Sequence, residues 1–235
     1  MPVVLVSGAN RGLGLEFVRQ YAADGWQVIA ACRHPDSATE LQTLAKNNTA
    51  IHPEQLDVAD QTSIATLATK LKDVAIDVLL NNAGIYSGNP DDKQTGQSFG
   101  NIDSAAWAKV LHVNTIAPIL MAEAFAPLVA KSDKRVIANI TSKMGSITLM
   151  APGSIAYRTS KAALNAAMRN IVPELSNQQI TIVNFHPGWV KTDMGGTNAD
   201  ITPDVSITGI RHVIAGLTLK NSGTFFNYDG TTLPW

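Results

Sequence analysis

Short apolar runs rich in Val and Ile alternate with longer segments of helical character along most of the chain. Two parallel strands need a crossover connection, usually a helix, so this alternation predicts a parallel sheet with helices on both faces. The apolar runs predict strands at residues 2–7, 27–32, 50–56, 75–81, 135–141, 180–186 and 224–227. Helices are predicted at residues 12–24, 38–46, 60–72, 104–130, 154–176 and 206–219.

These units predict a single α/β domain over residues 1–235, with a doubly wound, Rossmann-like fold and a mostly seven-stranded parallel sheet. The hydrophobic content of 45% is sufficient for one large core, and the pattern does not indicate a second one. Residues 86–103 are rich in Gly, Asn, Asp and Gln, which predicts a surface loop.

Composition argues against several classes of partner. The chain has 18 basic and 19 acidic residues and a net charge of -1, so neither nucleic acid nor an anionic membrane is expected, and a small-molecule ligand fits better. The first apolar run stops at Ser7, too early for a signal peptide or a membrane span. The single Cys32 forms no intrachain disulfide, and the five histidines show no metal-ligand spacing. We therefore expect a cytoplasmic protein without a metal.

A glycine-rich turn follows the first predicted strand. Gly8, Gly12 and Gly14 have the spacing G-x-x-x-G-x-G and stand between a strand and a helix. Glycine permits a tight turn and close backbone approach, and the helix N-terminus directs free N–H groups at a phosphate. The turn therefore predicts a dinucleotide site that also includes Asn10, Arg11 and Leu13, although an ordinary βα turn has the same composition.

The end of the second strand indicates which dinucleotide is bound. A carboxylate there would bind a ribose 2'-hydroxyl, whereas an arginine would accept a 2'-phosphate. This strand ends in Cys32-Arg33, and Arg11 is a second arginine that can converge on the same phosphate. We therefore predict NADP(H) as the cofactor, with two solvated surface charges as the alternative.

Polar and small residues follow three further strands, at the sheet edge where open α/β folds bind their ligands. Each of these segments is also compatible with ordinary turn chemistry, such as an N-cap, a strand exit or a Pro-Gly turn. The residues concerned are Asp57 and Val58 after the third strand, Asn82, Ala83 and Gly84 after the fourth, and Pro187, Gly188, Val190 and Thr192 after the sixth.

Tyr157 and Lys161 are four residues apart in a predicted helix, so both side chains lie on one face. A cation about 4 Å from the phenol would lower the tyrosine pKa by about three units, toward neutral pH. The pair therefore predicts an acid–base site. A surface helix with a solvent-directed lysine is the alternative.

Taken together and in order, these motifs resemble those of the short-chain dehydrogenase/reductase family over nearly the whole chain. The glycine turn, the run 81–84, Asn114, Ser142, Tyr157-x-x-x-Lys161 and Pro187-Gly188-x-Val190-x-Thr192 carry the resemblance. The arginines, the loop before Ser104 and the C-terminal segment 225–235 are similar to the carbonyl-reductase-like branch of the C-factor and sniffer proteins.

The resemblance implies roles for the individual residues. Tyr157 would be the general acid that protonates a carbonyl oxygen, and Ser142 would hydrogen-bond that oxygen. Lys161 would lower the Tyr157 pKa and hold the nicotinamide ribose, while Asn114 would anchor a water linked to Lys161. Val190 would meet the nicotinamide carboxamide, with Thr192 nearby.

The implied function is reduction of an aldehyde, ketone or quinone by NADPH, with an apolar substrate wall. Candidates for that wall are Ile85, Tyr86, Met144, Trp189 and Met194, each of which is equally compatible with a core position. Two alternatives remain: an NADP(H)-binding signalling protein of C-factor type with little turnover, and a nucleotide-sugar epimerase, for which the chain is short. Small residues at 162–167 favour a homodimer or homotetramer paired through this helix.

Overall fold

The computed structural model describes residues 1–87 and 97–235. Seven strands form the main sheet and two short ones form a separate hairpin. The strands are β1 (Val3–Ser7), β2 (Gln27–Cys32), β3 (Ile51–Gln55), β4 (Val78–Asn81), β5 (Gln97–Ser98), β6 (Asn101–Ile102), β7 (Val136–Ile140), β8 (Thr181–His186) and β9 (Phe225–Asn227). The helices are α1 (Gly12–Ala23), α2 (Thr39–Asn47), α3 (Gln61–Lys70), α4 (Ser104–Leu111), α5 (Ala117–Val129), α6 (Ile155–Asn170), α7 (Val172–Asn177) and α8 (Pro203–Gly216).

The main sheet has the order β3-β2-β1-β4-β7-β8-β9, and every neighbouring pair is parallel. This confirms the predicted seven-stranded doubly wound fold. From β1 the chain proceeds outward to β2 and β3 and then returns to β4 on the other side of β1. Since the connections after β1 and β4 lead in opposite directions, a crevice opens at the carboxyl ends of these two strands.

Two hydrophobic cores cover the two faces of the sheet. Val4 and Val6 of β1 face α1, α2 and α8, whereas Leu5 faces α3, α5 and α6. This alternation follows from the two-residue period of a strand. Because both faces are buried, the inner strands are mostly apolar, which is why they were recognisable in the sequence. The edge strand β3, Ile51–Gln55, is the exception, since it contains His, Glu and Gln and is only partly buried.

The predicted helix at residues 104–130 is interrupted. A π-helical turn, His112–Ile116, separates α4 from α5. Pro118 has no N–H and cannot donate to the Asn114 carbonyl, the bond that a continuous α-helix would make at this point. The proline therefore favours a local rearrangement, and π turns of this kind often occur at functional sites.

The predicted helix at residues 154–176 is also divided, into α6 and α7, with a break at Ile171. Pro173 accounts for the break, since a proline lacks the N–H and its ring clashes with the carbonyl four residues earlier. Tyr157 and Lys161 both lie in α6, upstream of the break, so their predicted spacing on one helix is retained.

The predicted surface loop at residues 86–103 differs from the structure where it is described. Residues 88–96 lie outside the described part, and β5 pairs with β6 in an antiparallel hairpin. Gln97 of β5 is only 3% exposed, and Phe99 at the tip of the hairpin is almost fully exposed. Residues 98–103 are exposed, as predicted, whereas the hairpin pairing and the buried Gln97 were not predicted.

The helical run Ser104–Val129 is long and apolar enough to cross a membrane by length and composition. However, 44% of its apolar window is buried inside the molecule, where Met121 and Phe125 pack on the sheet. The buried part of this apolar run is therefore explained by packing in the core.

Candidate active site

The glycine turn leads from β1 into α1 at the crevice. Gly8 has φ +68° and Gly12 has φ +54°, a region that favours glycine. A Cβ at Gly14 would lie 2.0 Å from the Gly8 carbonyl oxygen, so a side chain there is sterically excluded. Asn10 and Arg11 at the turn are exposed, and Leu13 packs against the core. The turn thus presents backbone and a helix N-terminus to the crevice, as a pyrophosphate requires.

The Ser7 hydroxyl connects this turn to the end of β4. It donates to the Leu80 carbonyl at 3.2 Å and accepts from the N–H groups of Asn82 and Ala83 at 3.0 and 3.1 Å. Asn82 Nδ2 in turn donates to the Ser7 and Gly8 carbonyls at 2.9 and 3.3 Å. The Asn82 side chain therefore supports the glycine turn, and any contact with a cofactor would use its main chain.

The two arginines predicted to bind a 2'-phosphate differ in their surroundings. Arg11 Nη1 lies 2.8 Å from Asp193 Oδ2, and both side chains are more than 70% exposed. Arg33 is exposed at the carboxyl end of β2. Exposed ion pairs contribute little stability. The Arg11 guanidinium can therefore exchange Asp193 for a phosphate at low cost.

Asp57 and Val58 follow β3 at the same edge of the sheet. Asp57 Oδ1 accepts from the Ala59 N–H at 3.0 Å, and the Asp57 N–H donates to Ser63 Oγ at 3.0 Å. The side chain that caps α3 belongs to Asp60, not to Asp57. Asp57 thus forms a local turn that holds Val58 half-buried at the crevice.

The segment after β8 folds back toward the glycine turn. A Cβ at Gly12 would lie 3.6 Å from Thr192 Cγ2, so the two segments are neighbours. Gly188 has φ +84°, and Ser206 Oγ donates to the Pro187 carbonyl at 2.6 Å. Val190 forms an isolated bridge with Ile201. The predicted nicotinamide-side residues therefore lie beside the turn predicted to bind the phosphates.

Tyr157 and Lys161 occupy one face of α6, and both are buried. Lys161 Nζ lies 5.8 Å from the centroid of the Tyr157 ring and donates to the Ile140 carbonyl at 2.9 Å. A Cβ at Gly84 would lie 3.6 Å from this Nζ. The ammonium therefore lies at the crevice, between the ends of β4 and β7.

The predicted lowering of the Tyr157 pKa is wrong for this arrangement. Burial raises the pKa of Tyr157 to about 12, the Ser142 hydrogen bond opposes this rise, and Tyr86 adds to it. Burial also lowers the pKa of Lys161 to about 8. Loss of hydration disfavours the charged form of both groups. The Tyr157 phenol is therefore protonated at neutral pH. The Lys161 ammonium is the group that can gain or lose a proton close to neutral pH.

Ser142 begins the turn that follows β7. Its Oγ accepts from the Met144 N–H at 3.1 Å, and its hydroxyl hydrogen-bonds the Tyr157 phenol. Beyond it, Gly145 packs directly on α6, since a Cβ there would lie 2.6 Å from the Lys161 carbonyl carbon. The turn after β7 is therefore held against α6, and the Ser142 and Tyr157 hydroxyl groups lie side by side.

Asn114 lies in the π turn and is fully buried. Its Oδ1 accepts from the Ile85 N–H at 2.8 Å, and its Nδ2 donates to the Ile85 carbonyl at 2.7 Å and to Ser160 Oγ at 3.0 Å. The side chain thus joins the strand exit after β4 to α6. Four sequence-predicted residues, Asn114, Ser142, Tyr157 and Lys161, are brought together in this way.

The residues predicted to form an apolar substrate wall differ in their surroundings. The rings of Tyr86 and Tyr157 lie 4.8 Å apart, centroid to centroid. Trp189 is 50% exposed and Met194 is 45% exposed, both in the segment after β8. Ile85 and Met144 are half-buried near Asn114 and Ser142. Trp189 and Met194 therefore present apolar surface to solvent in the segment after β8, and their part in a substrate wall stays a prediction.

Sequence reasoning missed a buried row of asparagines across three neighbouring strands. Asn81 Nδ2 donates to Asn139 Oδ1 at 2.9 Å, and Asn139 Nδ2 donates to Asn184 Oδ1 at 3.0 Å. Asn184 Nδ2 continues to Asn165 Oδ1 of α6 at 3.2 Å. Polar residues inside otherwise apolar strands were the available signal, because a buried amide needs partners.

The described residues contain no group of three His, Cys, Asp or Glu side chains able to hold a metal ion. The expectation of a metal-free protein therefore stays a prediction.

His186 ends β8, and burial lowers its pKa to about 4, with Lys143 adding to the effect.

The parallel sheet, the glycine turn at its switch point and the buried tyrosine–lysine pair define a doubly wound, nucleotide-binding oxidoreductase. A family model described as short chain dehydrogenase matches residues 2–201. The chain belongs to this family.

Individual relatives agree with that assignment. The chain is 37% identical to the carbonyl reductase Sniffer of Drosophila melanogaster, with a TM-score of 0.90 and 100% of both chains covered. It is 36% identical to an NADPH-bound carbonyl reductase from chicken fatty liver, also with a TM-score of 0.90 and full coverage. It is 39% identical over 169 residues to the C-signal protein of Myxococcus xanthus, which covers 72% of this chain and 98% of that protein. The chain is therefore an oxidoreductase of the carbonyl-reductase-like branch.

Proposed function

We propose that this protein reduces a carbonyl group to an alcohol with NADPH, with Tyr157 as the proton donor. The observation that carries the proposal is that Tyr157, Ser142, Lys161 and Asn114 meet at the carboxyl edge of the sheet, beside the glycine turn. A glycine turn alone supports binding, whereas a buried acid with a neighbouring hydroxyl and lysine supports chemistry.

The glycine turn and the strand ends around the crevice support a dinucleotide site. The glycine turn and the α1 N-terminus would hold the pyrophosphate, and Val58, Ala83 and Gly84 would border the adenosine and ribose. Lys161 would hold the nicotinamide ribose, with Val190 and Thr192 at the carboxamide. The bound dinucleotide supplies the hydride.

The protein's own residues supply the proton and orient the substrate oxygen that receives it. Tyr157 is protonated at neutral pH, because burial raises its pKa to about 12, and so it is in the form that a general acid needs. Ser142 would donate a second hydrogen bond to the substrate oxygen, which stabilises the negative charge that develops there. Both hydroxyl groups therefore converge on one oxygen atom.

Lys161 would restore the proton that Tyr157 gives away. Its pKa of about 8 allows proton exchange near neutral pH. The Asn114 side chain is engaged by Ile85 and Ser160, so a water would be held by its main-chain carbonyl. The π turn and Pro118 support this role, because Pro118 cannot bond that carbonyl.

Selectivity for NADPH over NADH would come from Arg33 and Arg11. Guanidinium groups bind phosphate well, and no acid stands at the end of β2 to bind a ribose hydroxyl. Three of the structural relatives are described as bound to NADP or NADPH. We expect Arg33→Asp to lower NADPH affinity at least about tenfold and to affect NADH much less. An unchanged NADPH affinity would contradict the assignment.

The substrate would be an apolar aldehyde, ketone or quinone. The exposed rim that includes Trp189 and Met194 supports this class, since small-molecule sites combine apolar walls with a few polar groups. The test is a fluorescence titration with NADPH and NADH, followed by NADPH consumption with a panel of these three carbonyl types. Tight NADPH binding with turnover is expected, and turnover on none of them would contradict the proposal.

A second function is supported by the likeness to the C-signal protein of Myxococcus xanthus. In this alternative the protein is a regulator that binds NADP(H) with little or no turnover. The same titration separates the two functions, because tight binding without NADPH consumption favours the regulator. The assembled Tyr157, Ser142 and Lys161 favour the enzyme, since binding alone does not require a proton donor.

A further inference from the structure

The first turn of α6 is capped in an unusual way. A helix N-terminus leaves its first N–H groups without intrahelical partners, and the N-cap side chain normally accepts one of them. Ser154 occupies the N-cap position of α6 but makes no side-chain cap bond, and its backbone has φ +52° and ψ +42°. Its hydroxyl is instead hydrogen-bonded to the Tyr86 hydroxyl.

A residue far away in sequence accepts the N–H of Tyr157. Gln97 Oε1 accepts this N–H at 3.2 Å, across 60 residues of sequence. The Gln97 side chain is 3% exposed, so the bond is shielded from water. A buried hydrogen bond of this kind fixes the backbone more firmly than an exposed one, because a buried N–H without an acceptor loses its interaction with water and gains nothing in return. Gln97 therefore performs the capping task that Ser154 does not.

Tyr86 supports the same turn from the other side. Its ring lies 4.8 Å from the Tyr157 ring, centroid to centroid, with an angle of 36° between the planes. The preceding residue, Ile85, has both its main-chain N–H and its carbonyl bonded to Asn114. The Tyr86 backbone is thus held in place, and its ring and hydroxyl can in turn hold Tyr157 and Ser154.

We propose that Gln97 and Tyr86 are positioning residues that hold the first turn of α6 and so place the Tyr157 hydroxyl for proton transfer. This inference rests on the proposed function, in which Tyr157 is the proton donor. A general acid must lie within hydrogen-bonding distance of the substrate oxygen, and a misplacement of about 1 Å can cost about 100-fold in rate. The contacts described for the two residues are with α6 and its N-cap, away from the glycine turn and Arg33, so we expect NADPH affinity to change little.

The first test follows the amide of Tyr157 directly. We expect Gln97→Met, which keeps the side-chain length but removes the acceptor, to speed hydrogen exchange at the Tyr157 N–H, measured by NMR. The Arg158 N–H donates to the Ser154 carbonyl at 2.9 Å within the helix and should keep its protection. The matched control is Gln178→Met, because Gln178 is exposed near the end of α7. Unchanged exchange at Tyr157 would overturn the capping role.

The second test separates positioning from binding. We expect Gln97→Met to lower kcat about tenfold or more, with the NADPH Kd and the carbonyl KM within about twofold of the wild type. A rise in KM at constant kcat would overturn the inference, because it would make these residues part of the substrate wall. An unchanged kcat would overturn it as well.

The Tyr86 and Ser154 hydroxyls form the third test. Each of Tyr86→Phe and Ser154→Ala should lower kcat about fivefold, the usual weight of one hydrogen bond. The double variant should be no slower than either single variant, because all three lack the same bond. Additive losses would overturn the pairing of these hydroxyls in positioning Tyr157.

Failure of the inference is distinguishable from failure of the proposed function. If the wild type reduces carbonyls but Gln97→Met is normal, the positioning role is wrong and the reductase stands. If the wild type binds NADPH but reduces no carbonyl, the reductase is wrong and the positioning of a proton donor falls with it. Hydrogen exchange at the Tyr157 N–H still reports whether Gln97 caps α6.

Discussion

At the scale of single residues, burial decides the chemistry of the tyrosine–lysine pair. The spacing of Tyr157 and Lys161 on one helix was predictable, because a helix repeats every 3.6 residues. Their protonation was not, since it depends on how much water the fold removes from each side chain. The pattern predicted a Tyr157 pKa lowered toward neutral pH. In the structure burial raises the Tyr157 pKa and lowers the Lys161 pKa to about 8, so the phenol keeps its proton.

We expect Tyr157→Phe to bind NADPH normally and to lose carbonyl turnover about 10²- to 10⁴-fold, because only the acidic hydroxyl is removed. The ring that packs on Tyr86 is retained. The control is Tyr21→Phe, which removes a hydroxyl in α1, where the Tyr21 ring packs under Arg211. Turnover by Tyr157→Phe at the wild-type rate would rule out the mechanism.

Lys161→Met tests the pKa of the lysine through stability. Between pH 8 and 10.5 the unfolded chain holds a proton on Lys161 that the folded protein has lost, so wild-type stability gains from rising pH. Below pH 8 the cost of burying the charged ammonium is present in full. It lowers the free energy of unfolding by about 3 kcal/mol at most. We therefore expect Lys161→Met to be more stable than the wild type at pH 7, with a difference that shrinks above pH 8.

Urea unfolding of both proteins between pH 7 and about 9.5 measures that difference before tyrosine ionisation begins near pH 10. Lys46→Met, at an exposed position in α2, is the control and should leave the pH dependence unchanged. A difference between Lys161→Met and the wild type that does not vary with pH would contradict the lowered pKa.

At the scale of elements, the strands were predictable and the interruptions of helices were not. Most strand positions followed from apolar runs that are buried on both faces of the sheet, although β4 begins three residues later than predicted. The edge strand β3 is more polar and only partly buried. Pro118 and Pro173 were visible in the sequence, but a proline inside an apolar helical pattern permits a kink, a π turn or a break. Contacts of Asn114 with Ile85 and Ser160 accompany the π turn at the first proline.

Gly145→Ala tests how closely the turn after β7 packs on α6. The new Cβ would lie 2.6 Å from the Lys161 carbonyl carbon and 2.8 Å from its Cβ, so one backbone must move. We expect a loss of about 1–3 kcal/mol in the free energy of unfolding and a lower kcat, because Lys161 is displaced. Thermal unfolding and steady-state kinetics measure the two effects.

Gly216→Ala is the matched control, because no heavy atom lies within 4 Å of a Cβ at Gly216, at the end of α8. That substitution should stabilise the protein slightly, since alanine favours a helix. Equal stability and equal kcat of the two variants would show that the close contact of Gly145 with α6 affects neither.

At the scale of the whole molecule, the assembly remains a prediction. Ala162, Ala163 and Ala167 of α6 are half-buried and Ala166 is exposed, so small residues line part of the outer surface of this helix. We expect a homodimer or homotetramer in solution, and Ala166→Glu should shift the mass toward the monomer by placing a charge in the contact. Sedimentation at micromolar concentration measures the mass.

Ala65→Glu, at an exposed position of α3, is the control for added charge. A monomeric wild type would contradict the assembly. If the wild type is a dimer or tetramer and Ala166→Glu leaves its mass unchanged, the contact lies elsewhere.

The sequence by itself determined the fold class, the glycine turn and the order of the motifs, because these depend on local periodicity and on residue type at fixed spacing. Only the tertiary structure decided which groups keep their protons and which side chains hold Tyr157. Burial sets the pKa values of Tyr157 and Lys161, and Gln97 reaches α6 from 60 residues away. Such properties arise from contacts between distant parts of the chain, which a linear pattern does not contain.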